Sequence, residues 1–351
     1  MPRSAGSVTG RLRILHAGSD ICGIPGLLAE HQRRLGHDAR ALRFTRSPYG
    51  FEGDIDVPYD SSWSKARRLA VRLRTLARYG PRFDVFHLHA YDTILPHMLG
   101  APLLHTVGKT VVVHFHGCEV RQTALVTAPH QVHCGECALR SQCPGAPQMQ
   151  RKRVAERWAD AIICSTPDLL TAVPTAKLVP NPIDTQRWQA LPRPTPRNGL
   201  VRFVHVPSSP ELKGSAQVEA AVDELRRLGY PVELVMATGV PHRDMPEFWA
   251  GADVMVDQLN VGWYGVSAIE AMAMGRPAAA YLFPWVAAQH GEPPLIRISK
   301  NDIVDVLART VDQPSWREDM AQQGREYAHR VHDAATVAAQ VVDVYRDAAH
   351  A

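Results

Sequence analysis

The chain has 351 residues, of which 45% are hydrophobic and 21% charged, with a formal net charge of +4. That length predicts about two domains, and the composition excludes a disordered chain. The small charge argues against a dedicated nucleic-acid binder, and no run of ~18 apolar residues predicts a transmembrane helix. Met1 to Arg11 lack the apolar stretch of a signal peptide, so a cytoplasmic, reducing location is expected.

Short β-branched or aromatic runs alternate with helical patterns along the chain. Arg13-Ile14-Leu15-His16-Ala17 reads as a strand, and a helix follows from Gly26 to about Leu35, stopped by Gly36. Between Ser61 and Arg82 there is no acidic residue, while Lys65, Arg67, Arg68, Arg72, Arg74, Arg78 and Arg82 supply positive charge. Leu69, Leu73 and Leu76 share one helical face. A solvated helix with its leucines on the sheet is the expectation; the alternative is peripheral contact of residues 61–82 with an anionic membrane or a charged acceptor.

Further strands are predicted at Asp84 to Leu88, Val111 to His116 and Asp160 to Cys164. The pairs His87/His89 and His114/His116 each put both rings on one strand face, where they are expected to line a cleft rather than hold a metal. His133-Cys134-Gly-Glu-Cys137 followed by Cys143 has metal-ligand spacing, which suits a structural Zn²⁺ with Cys118, His130 or His133 as fourth ligand; buried or loop thiols are the alternative. Asp54-Ile-Asp56 has the Asp-x-Asp form of a metal site but sits in an early loop. Pro192, Pro194 and Pro196 mark a linker.

The rhythm then repeats. Strands are expected at Val201 to Val206, Val232 to Met236, Asp253 to Val256 and Ala278 to Leu282, with helices at Gly214 to Leu228 and Ser267 to Met274. Such alternation implies parallel sheets with helices on both faces, and ligands beyond the carboxyl ends of the strands. An N-terminal domain over 1–190 and a C-terminal domain over 198–330 follow.

The segment Gly262-Trp263-Tyr264-Gly265-Val266 leads into a helix carrying Glu270 and ending at Gly275-Arg-Pro277. The glycines let backbone approach a ligand, and the helix start offers unpaired N–H groups suited to a diphosphate. Glu270, one turn in, can accept hydrogen bonds from ribose hydroxyls. Upstream, Ser208 and Lys213-Gly214 lie in a second loop before a helix.

These two segments resemble the nucleotide-sugar site of family-4 retaining glycosyltransferases, whose GT-B fold has two facing Rossmann-like domains and an interdomain cleft. The first is similar to their E-x7-E segment, with Glu270 as the second glutamate and Gly262 at the place of the first. The second is similar to their Arg-x4-Lys-Gly segment, with Ser208 in the arginine position. Gly18 to Gly26, including Cys22 and Gly23, resembles the first glycine loop; His114-Phe-His116-Gly117-Cys-Glu119 resembles the His-Gly-x-Asp element; Val179 to Asp184 resembles the Asn-Gly-Val-Asp segment. The resemblance spans roughly Leu12 to Pro277.

It implies a hexosyl-type transferase using a nucleoside-diphosphate sugar, UDP-sugar by family habit, and a glycan, lipid-linked or small-molecule acceptor. His116, Lys213 and Glu270 would act at the reacting centre. Ser208, Gly262, Trp263, Tyr264, Gly265 and Val266 would meet the donor along with Gly23, and Cys22, Gly23, His116 and Glu119 would face the acceptor. No cofactor is expected for catalysis, and residues 331–351 are expected to form a helix returning to the first domain. A degenerate member that binds nucleotide or glycan without turnover is the alternative, as is a metal-stabilised interaction module around Cys134 to Cys143.

Overall fold

The computed structural model describes residues 10–89, 93–121, 145–190 and 199–350. They form two compact units. The first comprises the described residues up to Pro182 together with those from Ala334 onward; the second runs from Ile183 to Asp333.

Unit 1 is built from β1 (Arg13–Gly18), α1 (Ile24–Arg34), β2 (Asp38–Arg43), β3 (Ile55–Asp56), α2 (Lys65–Tyr79), β4 (Val85–His89), α3 (Gly100–Thr106), β5 (Thr110–Phe115), α4 (Gly145–Trp158), β6 (Ala161–Cys164) and β7 (Lys177–Leu178). Its strands pair in the order β3-β2-β1-β4-β5-β6-β7, all parallel. Strands buried on both faces read as near-continuous apolar runs, which is why Val111, Val112 and Val113 stand together in β5 without alternation.

Unit 2 holds β8 (Val201–His205), α5 (Pro210–Lys213), α6 (Ser215–Arg227), β9 (Val232–Met236), α7 (Met245–Ala250), β10 (Val254–Gln258), α8 (Val266–Ala273), β11 (Ala278–Ala280), α9 (Pro284–His290), β12 (Ile296–Arg297), α10 (Ile303–Asp312) and α11 (Pro314–Val331). Its parallel sheet has the order β12-β11-β10-β8-β9. The last helix, α12 (Ala334–His350), belongs to unit 1 and packs on α1, β5 and β6. Within unit 2, Ile183 and Asp333 form a parallel bridge.

Helix α2 departs from the expected packing. Leu76 is buried, but Leu69 and Leu73 are 45% and 48% exposed. The buried face instead carries Thr75 and Arg72, whose guanidinium lies over the rings of Phe44 and Tyr59 and donates to the carbonyls of Thr93 (2.7 Å) and Ile94 (3.2 Å). A buried arginine is tolerated because aromatic faces and carbonyl oxygens replace its water.

Candidate functional site

In unit 2 the strand order reverses between β8 and β10, and open parallel sheets bind ligands beyond the carboxyl ends of strands at such a point. Both segments expected to hold a donor leave these two strands. Lys213 ends α5 after β8, followed by Gly214 at φ +78°. After β10, Gln258 shapes the loop: fully buried, its amide donates to the carbonyls of Trp263 (2.6 Å) and Tyr281 (3.1 Å) and accepts from the Val261 N–H (2.6 Å).

The two charged groups of the motifs are each already paired. Lys213 Nζ donates to Asp257 Oδ1 at 2.6 Å, and Asp257 Oδ2 accepts from the Gly265 N–H at 2.6 Å. A carboxylate of the chain therefore occupies the cation and one backbone donor that a diphosphate would use. A Cβ at Gly265 would lie 3.0 Å from Lys213 Nζ and 3.4 Å from Asp257 Oδ2, so a larger residue there would have to displace the Lys213–Asp257 pair. Glu270, 3% exposed, meets His242 Nε2 at 2.7 Å, and the His242 ring stands edge-on to Trp188. Neither Asp257 nor His242 belongs to a sequence motif. Their partners lie 44 and 28 residues away, so only the fold reveals them.

Gly262 has φ +75°, and a Cβ there would meet the Phe283 ring at 2.1 Å. Phe283 thus fills the space that a side chain at this position would need. Ser208 is exposed and Val266 half-buried. The side chains of Trp263 and Tyr264, expected beside the donor, are buried in the core instead. The Tyr264 hydroxyl bonds to the Tyr327 hydroxyl (2.9 Å) and His332 (3.0 Å), and burial pushes its ionisation up. Of these two residues, only backbone is left to meet a ligand.

In unit 1, the loop after β1 turns tightly. The Gly23 N–H donates to Asp20 Oδ1 (2.9 Å), and a Cβ at Gly23 would strike the Phe51 ring at 2.4 Å. Cys22 is exposed and adopts φ +52°. Glu119, expected to face an acceptor, is 1% exposed and turns back on its own loop, accepting from the backbone N–H groups of His116 and Gly117. Burial raises its carboxyl above the usual range. Cys118 lies beside Arg121, which is paired with Asp168 at 2.7 Å. Cys134, Cys137, Cys143, His130 and His133 lie outside the described residues. Asp54 accepts from the Ala41 N–H and Arg33, and Asp56 pairs with Arg43, so the Asp-x-Asp pair is bound up in the sheet edge.

Five histidines gather at the centre of this sheet: His16 from β1, His87 and His89 from β4, His114 from β5, and His116 just beyond it. All but His116 are fully buried. Burial pushes His16 down to about 4 and His116 to about 3, and drives His87, His89 and His114 well below the ordinary range. Donor atoms of His16, His87 and His89, and of His89, His114 and His116, fall within 4.8 Å of one another, close enough for a metal. Their ring nitrogens, however, bond to one another and to Ser165, Gln32 and Tyr345. Both nitrogens of His116 are engaged, by His89 (2.9 Å) and Ser165 (2.9 Å).

No protein-family model matches the chain, and no curated protein matches it. Solved structures do. Sucrose-phosphate synthase from Thermosynechococcus elongatus superposes with a TM-score of 0.67 at 16% identity, over 95% of this chain and 98% of that one. HepE from Anabaena, in complex with UDP and glucose, gives 0.64 at 13% identity over 95% and 99%. The catalytic domain of starch synthase IV from Arabidopsis thaliana, bound to ADP and acarbose, gives 0.65 at 11% identity over 97% and 100%. At these identities the likeness is one of fold. The chain has the GT-B fold, an α/β architecture of two Rossmann-like units with parallel sheets.

Proposed function

We propose that the chain is a nucleotide-sugar-dependent glycosyltransferase. The observation that carries this reading is the convergence of Lys213, the 262–265 loop and the α8 helix bearing Glu270 at the point where the second sheet reverses its strand order. Structures of the same fold contain UDP, glucose and ADP, which supports a nucleotide-sugar donor. In this reading Glu270 accepts from the ribose hydroxyls. Lys213 and the α8 N-terminus stabilise the charge that grows on the diphosphate as the glycosidic bond breaks.

A UDP-hexose donor and retention at the anomeric carbon follow from the family resemblance. Retention by front-face attack requires no paired carboxylates, because a donor phosphate oxygen takes the acceptor proton. Cys22, Gly23 and the His116 loop would serve the acceptor side. The acceptor class remains a glycan, a lipid-linked glycan or a small molecule, with α2 as a contact to an anionic membrane. A structural Zn²⁺ on Cys134, Cys137 and Cys143 belongs to the same proposal, tested by metal analysis of the purified chain.

A second reading is a nucleotide binder without turnover. It is favoured by three features of the donor seat: Asp257 neutralises Lys213, Ser208 supplies no charge, and Phe283 fills the side-chain space at Gly262. Thermal stabilisation by a panel of nucleoside diphosphates and their sugars tests the site. A ligand at a hundredfold excess over Kd stabilises by about 2.7 kcal/mol. A shift with one nucleotide that disappears in Glu270→Ala supports the donor site; no shift with any of them overturns it. Release of free nucleotide from a bound nucleotide sugar in the presence of candidate acceptors then separates enzyme from binder.

A further inference from the structure

The hydrogen bonds around the five histidines close on themselves. Starting at Gln32, its Oε1 meets His16 Nε2 (2.8 Å), and His16 Nδ1 meets His89 Nε2 (3.1 Å). His89 Nδ1 meets His116 Nε2 (2.9 Å), and His116 Nδ1 meets Ser165 Oγ (2.9 Å). Ser165 Oγ meets His114 Nε2 (2.8 Å), and His114 Nδ1 meets His87 Nε2 (3.1 Å). His87 Nδ1 meets the Tyr345 hydroxyl (2.6 Å), which accepts from Gln32 Nε2 (3.1 Å). Eight side chains from β1, α1, β4, β5, the segments after β5 and β6, and α12 make one circuit.

We propose that this circuit is a single tautomeric unit whose polarity Gln32 sets, making Gln32 a positioning residue for His116. A neutral imidazole carries one N–H and one lone pair, and a hydroxyl carries one proton. Each link therefore needs one donor and one acceptor, and each imidazole must pass the direction on unchanged; a hydroxyl can accept from both neighbours, but in a closed ring that leaves two lone pairs facing each other at another link. Only Gln32 has chemically distinct ends. With its NH₂ toward Tyr345 and its carbonyl toward His16, every link is determined. Tyr345 donates to His87 Nδ1, Ser165 donates to His116 Nδ1, and all five histidines carry their proton on Nε2. Turning the amide over would put all five on Nδ1. A mixture within one circuit would set two protons, or two lone pairs, against each other at some link, at a cost of the kind paid by unsatisfied buried polar groups.

His116, half-buried, is the one histidine of the circuit open to solvent. It also has a side-chain hydrogen bond with Asn181, which shares one of the two ring nitrogens with a circuit partner. Its consequence for a sugar rests on the role proposed above: a hydroxyl bonding to an imidazole nitrogen of His116 must open a link, so Gln32 governs which face of that ring donates. The tautomers themselves do not depend on a substrate.

The test is long-range ¹H–¹⁵N NMR on the full chain with ¹⁵N-labelled histidine. Five rings that share the Nε2–H tautomer and do not titrate between pH 8 and pH 6 are expected. Mixed tautomers, a shared Nδ1–H form, or a circuit histidine that titrates in that window overturn the proposal. In Gln32→Met, uniformity should be lost; if all five rings keep the Nε2–H form, Gln32 does not set it. Gln32→Glu gives a readout that packing alone would not move. A carboxylic acid has one donor and one acceptor like the amide, whereas a carboxylate only accepts. Uniform tautomers should therefore return at low pH within the folded range and disappear as the carboxyl ionises, and a pH-independent pattern overturns the assignment. Failure of nucleotide binding with an intact uniform circuit would sink the donor reading alone.

Discussion

Lys213 is held by Asp257, and in the proposed donor site that pairing sets the charge a diphosphate would meet. With Ser208 uncharged, Lys213 and Asp257 sum to about zero, where the segment this loop resembles has two cations. Asp257→Asn removes the resident anion and leaves Lys213 free for a phosphate. Its affinity for UDP or inorganic pyrophosphate is expected to rise about tenfold, equal to ~1.4 kcal/mol, measured by calorimetry at low salt. Weaker binding would mean instead that Asp257 aims Lys213 at the ligand. A second residue-scale consequence concerns pH. His16, His87, His89 and His114 are fully buried with lowered proton affinity, and Asp54 and Arg33 act on His16 in opposite senses. The unfolded chain binds protons near pH 6.5 and the folded chain does so only further down. Stability contributed by these groups is thus present above ~6.5 and falls as pH drops, by up to ~1.4 kcal/mol per pH unit for each. Unit 1 should unfold steeply between pH 6 and pH 5, seen as a falling Tm in scans across that range; a flat Tm would contradict neutral burial.

At the scale of elements, α2 presents three faces. Arg72, Thr75 and Leu76 are buried, while Ala66, Leu69, Leu73 and Ala77 form an exposed apolar ridge beside Arg67, Arg74 and Arg78. Apolar side chains on a cationic helix suit the headgroup boundary of an anionic bilayer. Leu69→Asp with Leu73→Asp should reduce binding to phosphatidylserine vesicles at least tenfold while leaving Tm within about 2 °C, because these side chains are not in the core; sedimentation with vesicles measures it. Equal binding by the variant overturns the proposed membrane contact of α2. The loop before α8 makes a steric prediction. Gly262→Glu must place a side chain inside the Phe283 ring and do so at a positive φ, so it should destabilise by more than 3 kcal/mol. Adding Phe283→Ala should recover part of that loss by relieving the clash, read from urea midpoints.

At the scale of the whole molecule, α12 is the segment that closes unit 1 across the sequence. Val337, Val341, Val342 and Tyr345 are at most 2% exposed, and the Tyr345 hydroxyl belongs to the histidine circuit. Burying four such side chains is worth roughly 6–12 kcal/mol, comparable with the entire stability of a domain. Removing residues 334–351 should therefore unfold unit 1 while unit 2, which contains none of them, retains its hydrogen-exchange protection. Protection lost evenly in both units would show that they fold as one.

Period and punctuation in the sequence determined the alternation of strands and helices, because apolar runs and glycine stops act locally. The glycine loop before α8 and Glu270 were legible for the same reason: a helix start after a glycine turn is a contiguous pattern. Residue pairing was not local. Asp257 on Lys213, His242 on Glu270 and Phe283 over Gly262 join segments that meet only when parallel strands are placed side by side, and no periodicity encodes which neighbours those are. The leucines of α2 carry the same lesson. An amphipathic pattern specifies that a helix has faces, but the rings of Phe44 and Tyr59 and the carbonyls of Thr93 and Ile94 drew Arg72 inward and left Leu69 and Leu73 in solvent. The paired His-x-His strands were visible one by one; their closure into a circuit required Gln32 and Tyr345, 313 residues apart, to reach the same buried point.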